Sequence, residues 1–173
     1  PEARFRIQDG EEKAYEIGQM ASVESLSART VVDGMAASAN MNTGVRIKGV
    51  DPAEENSTTG LAGLITEGGY FTDEGRLPSI IAGKELAKKL NSEIGSRIVL
   101  TFQDVEGEVI SASFRIEGLY EVSSLAFEER NVFVRSEELN KLIGDQKAIT
   151  EIAILLNEPD RYREIRNELN AIY

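Results

Sequence analysis

The stretch from Gly68 to Tyr120 constrains the fold most, because its turn-forming residues fall at intervals that leave room for one strand, one helix and one hairpin. Ser79, Ile80 and Ile81 make a short apolar, β-branched run, and Gly83 then releases the backbone into a segment where Leu86 and Leu90 stand one helical turn apart. Asn91 and Gly95 stop that helix. Arg97 to Phe102 resumes an extended pattern, turns at Asp104 to Glu108 and returns as Val109 to Tyr120. Nothing in this unit is arranged for catalysis.

The flanks read in the same way. Phe5 and Ile7 alternate with Arg4, Arg6 and Gln8 as a half-buried strand, and Glu11 to Met20 has Ala14 and Ile17 on one side of a short amphipathic helix. Val23 to Ala37 is β-leaning and long enough to hold a strand that continues past a bulge or bend. Asn42, Thr43 and Gly44 predict a turn into a strand carrying Val45, Ile47 and Val50. Asp51 and Pro52 open a helical segment that reaches Ile65, with Leu61, Leu64 and Ile65 as its apolar face. Asn56 to Gly60 is a poor helix interior, so two short helices are an alternative to one. Asn131 to Val134 predicts a strand, Ser136 a cap for a helix over Glu137 to Ile143, and Ile149 to Leu156 a buried strand. A closing helix follows Pro159, with Tyr162, Ile165, Leu169 and Ile172 on one stripe. The mixture of hairpins and crossovers makes the fold class α+β, with no repeat at solenoid period.

Composition narrows the function. With 41% hydrophobic and 28% charged residues the chain is that of a globular protein, and its longest wholly apolar run, Ile152 to Leu156, is far short of the ~20 residues of a membrane span. A chain that begins at Pro1 is expected to be a processed protein or a domain of a longer one. A net charge of −11 argues against nucleic acid and against anionic membrane surfaces, both of which need clustered Lys and Arg. The sequence has neither cysteine nor histidine, which removes thiolate nucleophiles, disulfides, imidazole bases and the usual zinc and copper ligand sets.

The remaining motifs are weak. Gly83 and Lys84 look like the end of a phosphate loop, but Pro78 stands where its first glycine belongs and Glu85 where Ser or Thr is needed. Asp73 and Glu74, near Asp51, lack the alternating pattern of a calcium loop. No catalytic, cofactor-binding or metal-binding residue is therefore assigned. Partner contact is assigned to two places: the hairpin tip with Asp104, Val105 and Glu106, and the segment Ser123 to Phe127, where Leu125 and Phe127 either cover a core edge or meet a partner.

The segments VESLSARTVVDGMA, TGVRIKGVDP, ITEGGYF, PSIIAGKELAKKLNSEIGSRIVLTF, SFRIEGLYE and TEIAILL, in this order, resemble the MacB-like periplasmic core domain of ABC transporter permeases, in the FtsX-like and lipoprotein-releasing (LolC/LolE-like) group. The likeness runs over nearly the whole chain. It implies an extracytoplasmic domain of a bacterial inner-membrane protein, set between the first and second membrane helices. It also implies two lobes, a Porter-like α/β lobe from residues 1–67 and 121–173 and a small β-rich Sabre-like lobe inserted as residues 68–120. The implied partners are the membrane-embedded remainder of the same permease, a second permease copy or paralogue and, indirectly, a cytoplasmic ATP-binding subunit. The implied role is to couple ATP-driven motion of the membrane helices to export or release of a substrate, with no cofactor. Family members that recruit a periplasmic chaperone carry an extended hairpin near Asp104 to Glu108, and the short turn here argues against recruitment in that manner. The alternative reading is a free-standing periplasmic binding module using the cleft between its lobes.

Overall fold

Alternating apolar residues set up most of the strands in the computed structural model, which describes residues 6–72 and 75–173. Helix α1 (Gly10–Gly18) leads into the long strand β1 (Val23–Ala37), which returns as β2 (Asn42–Val50). Helix α2 (Pro52–Thr59), a 3₁₀ turn at Leu61–Leu64 and the short strand β3 (Ile65–Gly68) follow. Strand β4 (Ser79–Gly83) then feeds α3 (Lys84–Lys89), and β5 (Arg97–Gln103) and β6 (Val109–Tyr120) form a hairpin. Helix α4 (Leu125–Glu128), β7 (Asn131–Arg135), α5 (Ser136–Ile143) and β8 (Glu151–Leu156) come next. A 3₁₀ turn at Pro159–Arg161 and α6 (Tyr162–Ile172) end the chain.

The pairings close on themselves. Strand β1 pairs with β2, β2 with β7, β7 with β4, β4 with β6, β6 with β5, and β5 again with β1, so six strands form a ring. Within it β2 and β7 are parallel, as are β4 and β6, and the other four pairs are antiparallel. This is an approximate two-fold arrangement. Hairpin β1–β2 followed by β4 and α3 corresponds to hairpin β5–β6 followed by β7 and α5, and each half's third strand lies parallel to the second strand of the other half. The sequence carries no visible trace of this repeat. Every second residue of the ring strands points inward: Val32 and Ala36, Val45 and Ile47, Ile80 and Ala82, Ile98 and Leu100, Phe114 and Ile116, Val132 and Val134 share one core. Leu86 and Leu90 from α3 and Leu139 and Ile143 from α5 join it. At the β1–β5 seam a Cβ on Gly34 would lie 2.5 Å from the Thr101 carbonyl oxygen, so only glycine lets the ring close there.

The mixed fold is α+β, as expected. The segment from Gly68 to Tyr120 supplies β4, β5 and β6, while β1, β2 and β7 from either side complete the ring, so the pairing crosses both boundaries expected for the inserted lobe. Outside the ring, β8 pairs with the first half of β1, Val23 to Arg29, and β3 pairs with the end of β6. A second apolar cluster on the outer face unites Val50, Leu61, Phe71, Ile81, Tyr120 and Phe133.

Several local expectations shift. The β1–β2 turn lies at residues 38–41, because Ala37 pairs with Asn42 and the Ser38 N–H donates to the Met41 carbonyl at 2.9 Å; Asn42 to Gly44 are already strand. Leu61 and Leu64 sit in the 3₁₀ turn and Ile65 begins β3, since Gly60 takes a left-handed conformation and ends α2. Ser136 is the first helical residue of α5, with extended Arg135 before it and no side-chain cap. Strand β8 is half-buried along its whole length, because among the described residues it pairs with β1 alone. The α6 stripe is only partly used: Ile165 is buried, whereas Tyr162 and Ile172 are exposed. The strand expected over Arg4 to Gln8 falls mostly outside the described residues; Ile7 is tied by its N–H to the Ile149 carbonyl at 2.7 Å. Asp73 and Glu74 also lie outside them, and Asp51 caps α2.

Gly83 is required by packing. A Cβ there would meet the Glu128 carbonyl oxygen at 2.1 Å, which explains the tight strand-to-helix passage into α3. Leu86 on that helix is 1% exposed. Replacing it by aspartate, Leu86→Asp, puts a charge in the ring core and is expected to lower stability by about 4 kcal/mol or more, read from urea or thermal unfolding. Unchanged unfolding would remove α3 from the core.

Candidate functional site

Helix α2 contains almost nothing that could bury it by the hydrophobic effect. Its residues run Pro52, Ala53, Glu54, Glu55, Asn56, Ser57, Thr58, Thr59, and the only one buried is Glu55, at 1% exposure. The helix starts because Pro52 fits its first turn and the Asp51 carboxylate accepts the N–H groups of Ala53 and Glu54 at 2.9 and 3.0 Å. It is held on β1 chiefly by Glu55, with the Ser25 hydroxyl donating to the Ser57 carbonyl at 3.1 Å and the Ala28 N–H to Glu54 Oε2 at 3.4 Å.

Arg29 meets that carboxylate in a two-pronged pair, Nε to Oε2 and Nη2 to Oε1, each 2.8 Å. Its remaining nitrogen Nη1 reaches Glu151 on β8 at 2.7 Å. Ser27 donates to Glu55 Oε2 at 2.8 Å and Thr59 to Oε1 at 2.9 Å, so both carboxylate oxygens are doubly bonded to donors. Burial works against the charge on Arg29, but the Glu55 and Glu151 carboxylates outweigh it and hold the guanidinium above its ordinary pKa.

The location of this clamp matters as much as its chemistry. Strand β1 pairs with β8 up to Arg29 and with β2 from Thr30 onward, so Arg29 stands where one strand passes from the outer layer into the ring. The passage is fixed by further bonds. Thr30 Oγ1 donates to the Ala148 carbonyl at 2.5 Å, Thr150 N–H to the Arg29 carbonyl at 2.8 Å, and Val31 N–H to Thr150 Oγ1 at 2.7 Å.

Lys48 lies beside the clamp on the same outer face, paired with Val31 on β1 and Phe133 on β7. Its side chain is largely buried and its ammonium lies 5.1 Å from the centre of the Phe127 ring and 5.8 Å from that of Phe133. Burial, then the nearby charge of Arg29, pushes the Lys48 pKa down. Phe127 in turn packs edge-on to Tyr120, whose hydroxyl donates to the Asn131 carbonyl at 2.9 Å.

The residues assigned to partner contact from sequence fall in two separate places. Asp104, Val105 and Glu106 form the β5–β6 turn, where the Asp104 carboxylate accepts the N–H groups of Glu106 and Glu108 and Gly107 is left-handed. Val105 is partly buried on the ring core and its N–H donates to the Ile143 carbonyl at the end of α5, so the tip is docked. Leu125 and Phe127 belong to α4, which the sequence pattern is too short to reveal and which Ser124 caps. Leu125 is 61% exposed, while Phe127 packs on the outer cluster. The two places lie at opposite ends of the 12-residue strand β6, on the order of 30 Å apart.

The sequence patterns do not single out Arg29, Glu55 or Lys48. A signal is present all the same, since a helix that is polar all round and still packs must be held by polar contacts, and Glu55 is central in α2. Among the described residues no group of three or more Asp or Glu could hold a metal ion, and no helix is long and apolar enough to cross a membrane.

The sequence matches the family model for the MacB-like periplasmic core domain over residues 2–172. The fold is similar to the extracellular domain of the noncanonic ABC-type transporter YknZ from Gram-positive bacteria, at 17% identity over 94% of this chain and 78% of that one, with a TM-score of 0.65. It is also similar to the periplasmic region of MacB from Actinobacillus actinomycetemcomitans, at 13% identity over 94% of this chain and 72% of that one, with a TM-score of 0.61. Among curated proteins no sequence match is found.

Removing one partner of a buried ion pair strands the other. Glu55→Gln is expected to cost about 3–5 kcal/mol in urea unfolding of the chain, whereas Arg46→Ala, at the half-exposed pair with Asp33, is expected to cost under about 1 kcal/mol. Equal effects would deny the clamp a special place.

Proposed function

We propose that this chain, which belongs to the MacB-like periplasmic core domain family, serves an ABC transporter permease as its extracytoplasmic domain and passes ATP-driven motion of the membrane helices to a substrate outside the cytoplasmic membrane. The observation that carries this reading is β1, one strand built into both the closed ring and the β8 layer, with the Arg29–Glu55 clamp at the crossing point. Displacement of either part reaches the other along a continuous backbone. A fully bonded buried pair at that point keeps the transfer stiff rather than absorbed by bending. Such a role needs no catalytic group in the domain, and ATP hydrolysis belongs to a separate cytoplasmic subunit.

The reading includes export or release of a substrate, lipoproteins among the classes proposed, and partnership with the membrane-embedded remainder of the permease and with a second permease copy or paralogue. The docked, short turn at Asp104 to Glu108 supports a permease that does not use this hairpin to recruit a chaperone.

Because the chain has no cysteine, a single Glu106→Cys in an otherwise cysteine-free permease gives a clean label. A membrane-impermeant maleimide added outside intact spheroplasts is expected to modify it, and protection until lysis would sink the extracytoplasmic assignment. In the same full-length permease, Arg29→Gln is expected to leave ATP hydrolysis in place and to slow substrate release about tenfold or more, a change of about 1.4 kcal/mol in the barrier. Unaltered release would refute the coupling role.

A further inference from the structure

Resting on the reading of β1 as a transmitting joint, we propose that Lys48 couples the Arg29–Glu55 clamp to helix α4, so that the exposed face of α4 around Leu125 reports the state of the joint. The contacts form one unbroken series. Arg29 is the β1 residue immediately before the first β1–β2 pair, Thr30 with Gly49, which places it diagonally across the sheet from Lys48. Both side chains lie on the outer face, both carry positive charge, and both are largely buried. Among the described residues Lys48 has no carboxylate within bonding distance, and it rests on the rings of Phe127 and Phe133. Phe127 belongs to α4, whose next residue, Glu128, is buried and accepts the Val122 N–H at 2.6 Å and the Glu85 N–H at 3.4 Å. Leu125, at the start of α4, is exposed.

The coupling follows from charge. With Glu55 in place, its carboxylate offsets Arg29 and lets a second cation stay buried nearby; Glu151 adds to that balance from β8. If α2 withdraws Glu55, two buried cations face each other with less compensation. Arg29 is held by Glu151, whereas Lys48 is held by ring faces, so Lys48 is the side chain that leaves. Its departure removes the cation from Phe127 and loosens α4. A shift of α2 at the joint is thereby converted into a change in α4 and in the exposed face that carries Leu125.

The test uses amide hydrogen exchange on the 173-residue chain itself, which separates this proposal from the transport reading. In Glu55→Gln the amides of Val122, Glu128 and Glu129 are expected to exchange about tenfold faster, a typical size for coupling between sites, beyond the change at the α5 amides from Leu139 to Ile143, which follow only the lowered global stability. In a Lys48→Met background, which keeps an apolar chain on the two rings, the same Glu55→Gln change is expected to shift exchange at those three amides, relative to α5, by less than about twofold. Should Glu55→Gln fail to fold, Glu151→Gln serves as the second variant, because it removes a negative charge from Arg29 at a half-exposed position and leaves the buried pair intact. Unchanged exchange at α4 in the Lys48-containing chain, or equal acceleration with lysine and with methionine at position 48, would overturn the proposal.

Discussion

A strand that serves two sheets has to meet two sets of conditions at once, and β1 does so along 15 residues. Its second half closes the ring against β2 and β5, which demands inward Val32 and Ala36 and a glycine at position 34. Its first half carries β8, and the side chains there, Ser27 and Arg29, are polar and buried. The change of sheet and the change of chemistry coincide at Arg29 and Thr30. The layer beside β1 is positioned by that coincidence: β8 follows the register of Val23 to Arg29, α2 is seated through Glu55, and the chain before β8 is pinned through Thr150 and Ala148.

An apolar contact at the same place would have been simpler and no less stable, since a buried ion pair is often matched or surpassed by well-packed hydrophobic residues. What the pair adds is geometry. A guanidinium bonded through two nitrogens to one carboxylate admits a single arrangement of α2 on β1, and the hydroxyls of Ser27 and Thr59 occupy the remaining acceptor positions. Loss of register leaves buried charges unpaired, so intermediate positions are penalised heavily. A helix held in this way is either seated or released, whereas an apolar helix can slide.

The ring strands are readable where apolar residues alternate between turn residues, as in Arg97 to Gln103 and Val109 to Tyr120. The length of β1 is readable as well, because no turn pair interrupts it strongly enough to end a strand; Asp33 and Gly34 remain inside it. Closure is not. Pairing between β5 and β1, and the parallel insertion of β4 beside β6 and β7 beside β2, connect segments far apart in the chain, and alternation specifies which face is inward but not which neighbour is met. The two-fold relation between the halves escapes for the same reason, since it lies in pairing rather than in residue identity. The clamp is hidden because Arg29 and Glu55 each look like ordinary surface charges, and only the fold brings them together and removes water from them. Helix α4 is hidden by its four-residue length.

The distribution of pairing decides which part of the domain can yield. In the ring every strand has a partner on both sides, and removing a strand breaks two ladders and exposes the Val, Ile and Phe core within. The outer layer is softer. Among the described residues β8 has one partner, all six of its residues are half-buried, and α6 buries only Ile165 fully. Under the proposed role, displacement is therefore taken up by the layer while the ring moves as a unit, and the fraction delivered depends on the stiffness of the crossing point. Arg29 bonds at that point to two elements outside the ring, to Glu55 on α2 and to Glu151 on β8. The half-exposed Glu151 contact can exchange with water at little cost, whereas the buried Glu55 contact cannot. The β8 side of the clamp is accordingly the compliant one and the α2 side the rigid one, which makes seating or release of α2, rather than bending of β1, the discrete step available to this fold.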